Sequence, residues 1–280
     1  MSVRAVSRKP STLVSPSVSR DCLRPSCSLQ CAIVVTFPVY LQIGTIQLHP
    51  HLVFEGLAYL LAFVTYLCLR RQSEDPISHN ERWWVITAAW AGAAVGSILL
   101  AYAGAPLIWS QPPGKTIVGG LVGGWLAVEW VKKLRRLSIR TGDLFALPLT
   151  LGIALGRIGC FLTGLSDQTY GNVTILPWGI DFGDGIRRHP TQLYEIAFLL
   201  GLALLLRLFT AQPHLNGDIF KAFMIGYMGW RLAIDSLKPG LRVVGLTAIQ
   251  WTCLIVLLYY ARDLIRMIAS LRASSDLVHS

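Results

Sequence analysis

Six charged residues stand inside otherwise apolar runs of this sequence: Glu55, Glu129, Arg157, Glu195, Arg231 and Asp235. A charge at the centre of a membrane helix costs roughly 2.5–3.5 kcal/mol on insertion scales, so such residues mark functional sites by default. Arg231 and Asp235 are four apart, share one helix face and can pair. A structural ion pair that lets both be buried is the plain alternative to a site. Arg157 has no acid within four residues on its own helix. Its partner must come from another helix, from a loop or from a ligand. Guanidinium is the side chain best suited to forked recognition of phosphate. Two arginines on different helices would suit one phospholipid headgroup.

A second polar group runs His189-Pro190-Thr191-Gln192-Leu193-Tyr194-Glu195, where a loop enters an apolar run. Gln192 and Glu195 are three apart and share a face. His189 stands at the rim, where an ordinary interfacial histidine is the alternative reading. Gly119, Gly120, Gly123 and Gly124 give small-x-x-x-small spacing, repeated by Gly152 and Gly156. Such spacing serves close helix packing. It also permits backbone approach to a ligand, and the two uses are compatible.

The elements that must position these residues follow from composition. The chain has 280 residues, of which 53% are hydrophobic and only 14% charged. Soluble domains carry roughly 25% charged residues. The apolar residues fall in long runs, as a bilayer requires. Each run should be a helix, because unpaired backbone groups are not tolerated in hydrocarbon. The alternation of a membrane β-barrel is absent. The expected fold is all-α, a polytopic membrane bundle of about seven transmembrane helices. The spans are expected at 52–69, 83–103, 117–131, 143–162, 190–209, 219–237 and 246–265. A polar, glycine-rich loop fills 164–189. Residues 1–40 are rich in Ser, Arg and Pro. They read as a disordered arm or a mis-assigned start, ahead of a membrane domain over 41–275. Ala32–Val35 is too short for the apolar part of a secretory signal.

Cations gather in one set of loops, with Arg70, Arg71, Lys132, Lys133, Arg135, Arg136, Arg262 and Arg266 among them. That side should be cytoplasmic. The N-terminal end of the bundle and the 164–189 loop are then outside, and the C-terminus inside. The net charge of +10 is explained by these loops, which also suit anionic lipid headgroups. No basic stripe with interleaved aromatics is present, so nucleic acid is not an expected partner. The cysteines form no C-x-x-C pair, and no histidine lies near them at ligand spacing. No metal site is therefore expected from local spacing.

The chain resembles the prolipoprotein diacylglyceryl transferases. The resemblance covers most of the sequence after residue 40. It rests on Gly156-Arg157-Ile158-Gly159-Cys160-Phe161, on the His189–Glu195 heptad, and on Gly226-Tyr227 with Arg231 and Asp235. Gly119-Gly120-Leu121 and Gly245-Leu246-Thr247 with Gln250 add weaker support. The resemblance implies an inner-membrane enzyme of lipoprotein biosynthesis in bacteria. Its partners would be phosphatidylglycerol, the surrounding membrane lipids and a prolipoprotein with a lipobox cysteine. Diacylglyceryl would pass to the cysteine thiol with release of glycerol phosphate. No cofactor and no metal are implied. Arg157, Arg231, Asp235, Gln192, Tyr194, Glu195, Gly119 and Gly120 would hold the headgroup.

The sequence departs from the family at instructive places. The glycine motif usually begins with a histidine proposed as the base, and Val118 stands there. An essential asparagine of the Gly-Arg motif is replaced by Cys160. An acidic residue just after that motif corresponds to Leu165, and a tyrosine on the first helix falls at about Glu55. Glu55 or Glu129 is expected to replace the missing base, with His189 kept from the heptad as the third catalytic candidate. The alternative is a diverged phospholipid-binding relative without transferase activity. A solute transporter is a third reading, but no inverted internal repeat supports it.

Overall fold

The computed structural model describes residues 37–72, 78–104, 114–137, 142–212 and 214–278. Among the described residues there are seven α-helices: α1 Pro50–Gln72, α2 His79–Gly104, α3 Ile117–Leu134, α4 Asp143–Thr163, α5 Thr191–Thr210, α6 Asp218–Ile234 and α7 Ala248–Val278. The fold is an all-α bundle. Four stretches, Pro50–Gln72, Asn80–Gly104, Asp143–Asp167 and Thr191–Thr210, are long and apolar enough to cross a bilayer. The outward faces match that solvent: Leu204 and Leu205 on α5 and Leu258 and Ile265 on α7 are exposed. An apolar surface of this extent is stable only against lipid or a partner. The architecture is that of a polytopic membrane protein.

Local chemistry sets the helix ends. Thr116 caps α3 through its side-chain oxygen, which accepts the Gly119 N–H at 3.2 Å. Arg70 and Arg71 close α1, and Lys132 and Lys133 close α3. Cations there complement the partial negative charge of a helix C-terminus. Gly164 stops α4 at a φ of +71°, a conformation that glycine adopts without strain. The remaining described structure is short. Strands β1 Leu41–Ile43 and β2 Ile46–Leu48 form a hairpin before α1. Strands β3 Ile180–Asp181 and β4 Arg187–Arg188 form another in the loop after α4. Two- and three-residue strands carry too little periodicity to be seen in a sequence.

Residues 37–40, which composition assigns to the arm, make contacts. The Val39 N–H donates to Leu162 O at 2.9 Å, and Phe37 meets the rings of Phe161 and Phe182. The rest of the arm, with Cys22, Cys27 and Cys31, lies outside the described residues, as do Trp109 and Arg140. The seventh helix continues 13 residues past Ile265, to Val278.

Glycine faces bring two helix pairs close. On α2 and α3, a Cβ added at Gly96 would lie 2.3 Å from Gly119 O, and one at Gly123 would lie 2.3 Å from Gly92 O. On α1 and α4, a Cβ at Gly159 would lie 2.7 Å from Phe54 Cβ. The buried core is Leu199, Leu202 and Leu206 of α5 against Phe223, Met224, Tyr227 and Met228 of α6, with Cys253, Val256 and Tyr260 of α7. Val118 belongs to the same core.

Gly123→Ala should destabilise the bundle by about 1–3 kcal/mol, because the obstructing atom is backbone and cannot rotate away. Gly120→Ala, whose nearest contact would be an ordinary 3.6 Å, should be close to neutral. Thermal unfolding of both variants in detergent checks the contrast.

Candidate functional site

The site is built at one end of the bundle. It uses the start of α1, the end of α4, the start of α5, the end of α6 and the start of α7. Glu195 is its centre, with a fully buried side chain. It lies one turn inside α5, whose first turn follows Pro190. Arg157 of α4 reaches it at 2.9 Å and Arg231 of α6 at 3.2 Å. The Tyr227 hydroxyl donates to the same carboxylate at 2.7 Å. Arg231 also pairs with Asp235 at 3.2 Å, as the four-residue spacing predicts. Asp235 in turn accepts from the Thr247 hydroxyl. Gln250 completes this edge, accepting the Thr247 N–H at 3.0 Å and donating to Leu232 O and Ser236 Oγ. The partner that Arg157 lacks on its own helix is therefore Glu195, 38 residues away.

The heptad is pinned to the loop over 164–189. The Thr191 hydroxyl donates to Thr169 O at 2.7 Å, and Gln192 Nε2 donates to Thr169 Oγ1 at 3.1 Å. Tyr194 accepts from Trp178 Nε1 at 2.8 Å and lies 3.3 Å from His189 Nδ1. Arg188 lies over the Tyr170 ring and forks onto Asp184 at 2.7 Å through both terminal nitrogens. The guanidinium of Arg188 holds the Asp184 carboxyl below the usual carboxylate range.

Around Glu195, the buried atoms Arg157 Nε, Arg231 Nε and Gln192 Oε1 make no hydrogen bond among the described residues. Lys238, half-buried in the loop after α6, adds a third cation near the two carboxylates. Burial, then repulsion from Arg231 and Arg157, pushes its ammonium down from an ordinary 10.5 to about 7. With Lys238 charged, three cations face two carboxylates. Unused buried donors in a net positive pocket suit an anion.

Not every expected site residue is brought here. Glu129 stands on α3, paired with Lys132 at 2.8 Å, in a shallow apolar depression with Leu126, Trp130 and Leu134. Gly119 packs against the backbone of α2, so its open side is already filled, while Gly120 has more room. Glu55 accepts from Tyr59 at 2.8 Å and lies 3.7 Å from His51 Nε2. His51 Nδ1 is 2.9 Å from Asp167. Sequence reasoning missed His51, Asp167 and Lys238. The family's acidic residue after the Gly-Arg motif corresponds to Leu165 here, which carries no carboxylate. Asp167 supplies one two residues on, in the 3-10 turn that follows α4.

The family model for prolipoprotein diacylglyceryl transferase matches residues 38–265. The chain belongs to that family. Among its relatives, the phosphatidylglycerol–prolipoprotein diacylglyceryl transferase of Bordetella parapertussis is 31% identical over 242 residues, covering 76% of this chain and 88% of that protein. The enzyme of the same name from Nitrosomonas europaea is 31% identical over 258 residues, covering 80% and 89%. That from Glaesserella parasuis is 31% identical over 226 residues, covering 72% and 79%. The matched region covers the first six helices and α7 as far as residue 265, and the Arg157–Glu195–Arg231 cluster lies within it.

Glu195→Ala leaves two buried guanidiniums without their shared carboxylate. It should cost about 3–5 kcal/mol, and thermal unfolding in detergent measures it. Lys238 gives a pH test. Its folded pKa is lowered, so between about 7 and 10.5 the unfolded chain holds the extra proton. Stability from this group should rise with pH across that window. Lys238→Met should remove that slope.

Proposed function

We propose that this protein transfers diacylglyceryl from phosphatidylglycerol to the lipobox cysteine thiol of a prolipoprotein. The observation that carries the reading is the pair Arg157 and Arg231. They stand on separate helices, share one buried carboxylate and keep their Nε donors unused. A phosphodiester headgroup offers the acceptor oxygens these donors lack. As the phosphate leaves, charge builds on its oxygens, and fixed guanidiniums stabilise that charge without reorganising. Asp235 holds the Arg231 guanidinium in orientation, and the Tyr227 hydroxyl holds the Glu195 carboxylate.

The reaction balances simply. The acceptor thiol loses its proton, the thiolate sulfur bonds to the glyceryl carbon, and the carbon–oxygen bond to phosphate breaks. Glycerol phosphate departs with the electron pair. Glu55 is the proton acceptor we assign, because it stands at the site end of the bundle while Glu129 stands apart on α3. His189, Tyr194 and Gln192 form the rim through which the acceptor peptide enters, and Gly120 leaves room beside the lipid.

In this reading all seven helices span the inner membrane of a bacterium. The site opens outward, the bundle's N-terminal end is outside and the C-terminus is cytoplasmic. The opposite end of the bundle supports the orientation: there Arg266 pairs with Asp218 at 2.6 Å, and Lys221 with Asp263 at 2.5 Å. The membrane domain is 41–275, preceded by the basic arm. A second reading, phospholipid binding without transfer, is favoured by Val118 and Cys160, where the family carries histidine and asparagine.

Purified protein in phosphatidylglycerol vesicles with a lipobox peptide decides between them. The thioether product should form, and Arg157→Ala should lower its rate by about 10²–10³-fold. Glu55→Gln should lower it too. Binding of phosphatidylglycerol through Arg157 without any product would support the second reading instead.

A further inference from the structure

Three side chains from two distant parts of the sequence converge beside the arginine cluster. His51 Nδ1, Cys160 Sγ and an Asp167 carboxylate oxygen all lie within 4.8 Å of one another. They come from the first turn of α1, the end of α4 and the 3-10 turn after it. Close packing at Gly159, where Phe54, His51 and Pro50 of α1 crowd the glycine, brings the two helix ends together. From these contacts we infer that His51, Cys160 and Asp167 form a binding site for a thiophilic divalent cation of the zinc type.

The donor set fits such an ion. A nitrogen, a sulfur and an oxygen are the three ligand types zinc takes, at about 2.0–2.3 Å, with a fourth position left open in reactive sites. Donors on a tetrahedral ion then stand roughly 3.3–3.8 Å apart. The three ligand atoms, all within 4.8 Å of one another, stand near that spacing. His51 Nδ1 is buried and makes no hydrogen bond of adequate angle, although Asp167 Oδ1 is only 2.9 Å away. It is close to the carboxylate but not aimed along a hydrogen bond. A shared cation would satisfy both atoms.

The supporting contacts are those a metal site needs. A ligating histidine usually presents its other nitrogen to a carboxylate, and ligating carboxylates are themselves hydrogen-bonded. Glu55 stands 3.7 Å from His51 Nε2. The Thr169 hydroxyl donates to Asp167 Oδ2 at 2.7 Å and accepts from Gln192. Arg157 Nη1 lies 3.9 Å from Cys160 Sγ. A thiolate and a carboxylate together carry two negative charges, which one divalent cation neutralises. A metal here is thus one shell away from the headgroup arginines.

One consequence rests on the transferase reading. A cation held by the trio would lower the pKa of an acceptor thiol bound to it, and the proton would pass to water or Glu55. Activation of that kind would stand in for the base that Val118 does not supply.

The test uses the full chain with Cys22, Cys27 and Cys31 changed to serine, stripped by a chelator and titrated with Co²⁺, then Zn²⁺. One Co²⁺ per chain should bind, with a near-ultraviolet sulfur-to-cobalt band that Zn²⁺ abolishes. The band should vanish in Cys160→Ser, and Asp167→Asn should weaken binding about 10-fold or more. Asp167→Asn keeps the shape of the side chain, so it reports even if Cys160→Ser folds poorly. No stoichiometric binding, or a band unchanged in both variants, overturns the site. Metal bound without lipidation supports the site and overturns the transferase reading. Full lipidation by chelator-stripped protein that takes up no cobalt overturns the site and leaves the transferase standing.

Discussion

A single carboxylate, Glu195, makes this structure possible. Two guanidiniums cannot be buried within a few ångströms of each other in a low-dielectric bundle unless an anion lies between them. Glu195 is that anion, and it is reached from α4, α5 and α6 at once. Three helices are thereby tied at one depth, about a turn below the loop. Asp235 and Tyr227 supply the remaining charge balance and hydrogen bonding. Lys238 stands nearby, and two guanidinium Nε atoms stay unused. A pocket satisfied enough to fold and unsatisfied enough to attract an anion is what a headgroup site requires.

The rest of the molecule holds that cluster in place. The glycine faces of α2 with α3, and of α1 with α4, let backbones approach where side chains would keep them apart. Membrane bundles need such faces, since lipid offers no hydrophobic drive for helices to associate. The loop over 164–189 is not loose over the site. Phe182 is buried against Phe37 and Phe161, and Thr169 ties the loop to the heptad. The polar rim and the deep arginines are therefore one mechanical unit.

Two of the departures from the family pattern, Glu55 and Cys160, share a location. Glu55 and Cys160 stand on neighbouring helices, joined through His51 and Asp167. Val118, by contrast, is sealed in the apolar core. The residue that replaces the family histidine has become packing, while the residue that replaces the asparagine lies in a new polar cluster. Loss at one place and gain at another fits a relocated activating group.

The sequence by itself determined the helices. Apolar runs of bilayer length, closed by arginines and lysines, admit only one backbone solution in hydrocarbon. The i to i+4 pair of Arg231 with Asp235 was legible for the same reason, since helical geometry alone places them together. That Arg157 needs a partner was legible too, from the cost of burying it. Which partner it takes was not. Glu195 lies on another helix, and the choice follows from how α4 meets α5. The same holds for His51, Cys160 and Asp167, whose proximity depends on the close approach of α1 to α4 at Gly159. Local periodicity fixes what each helix presents, but only packing decides which presented groups come to share a space.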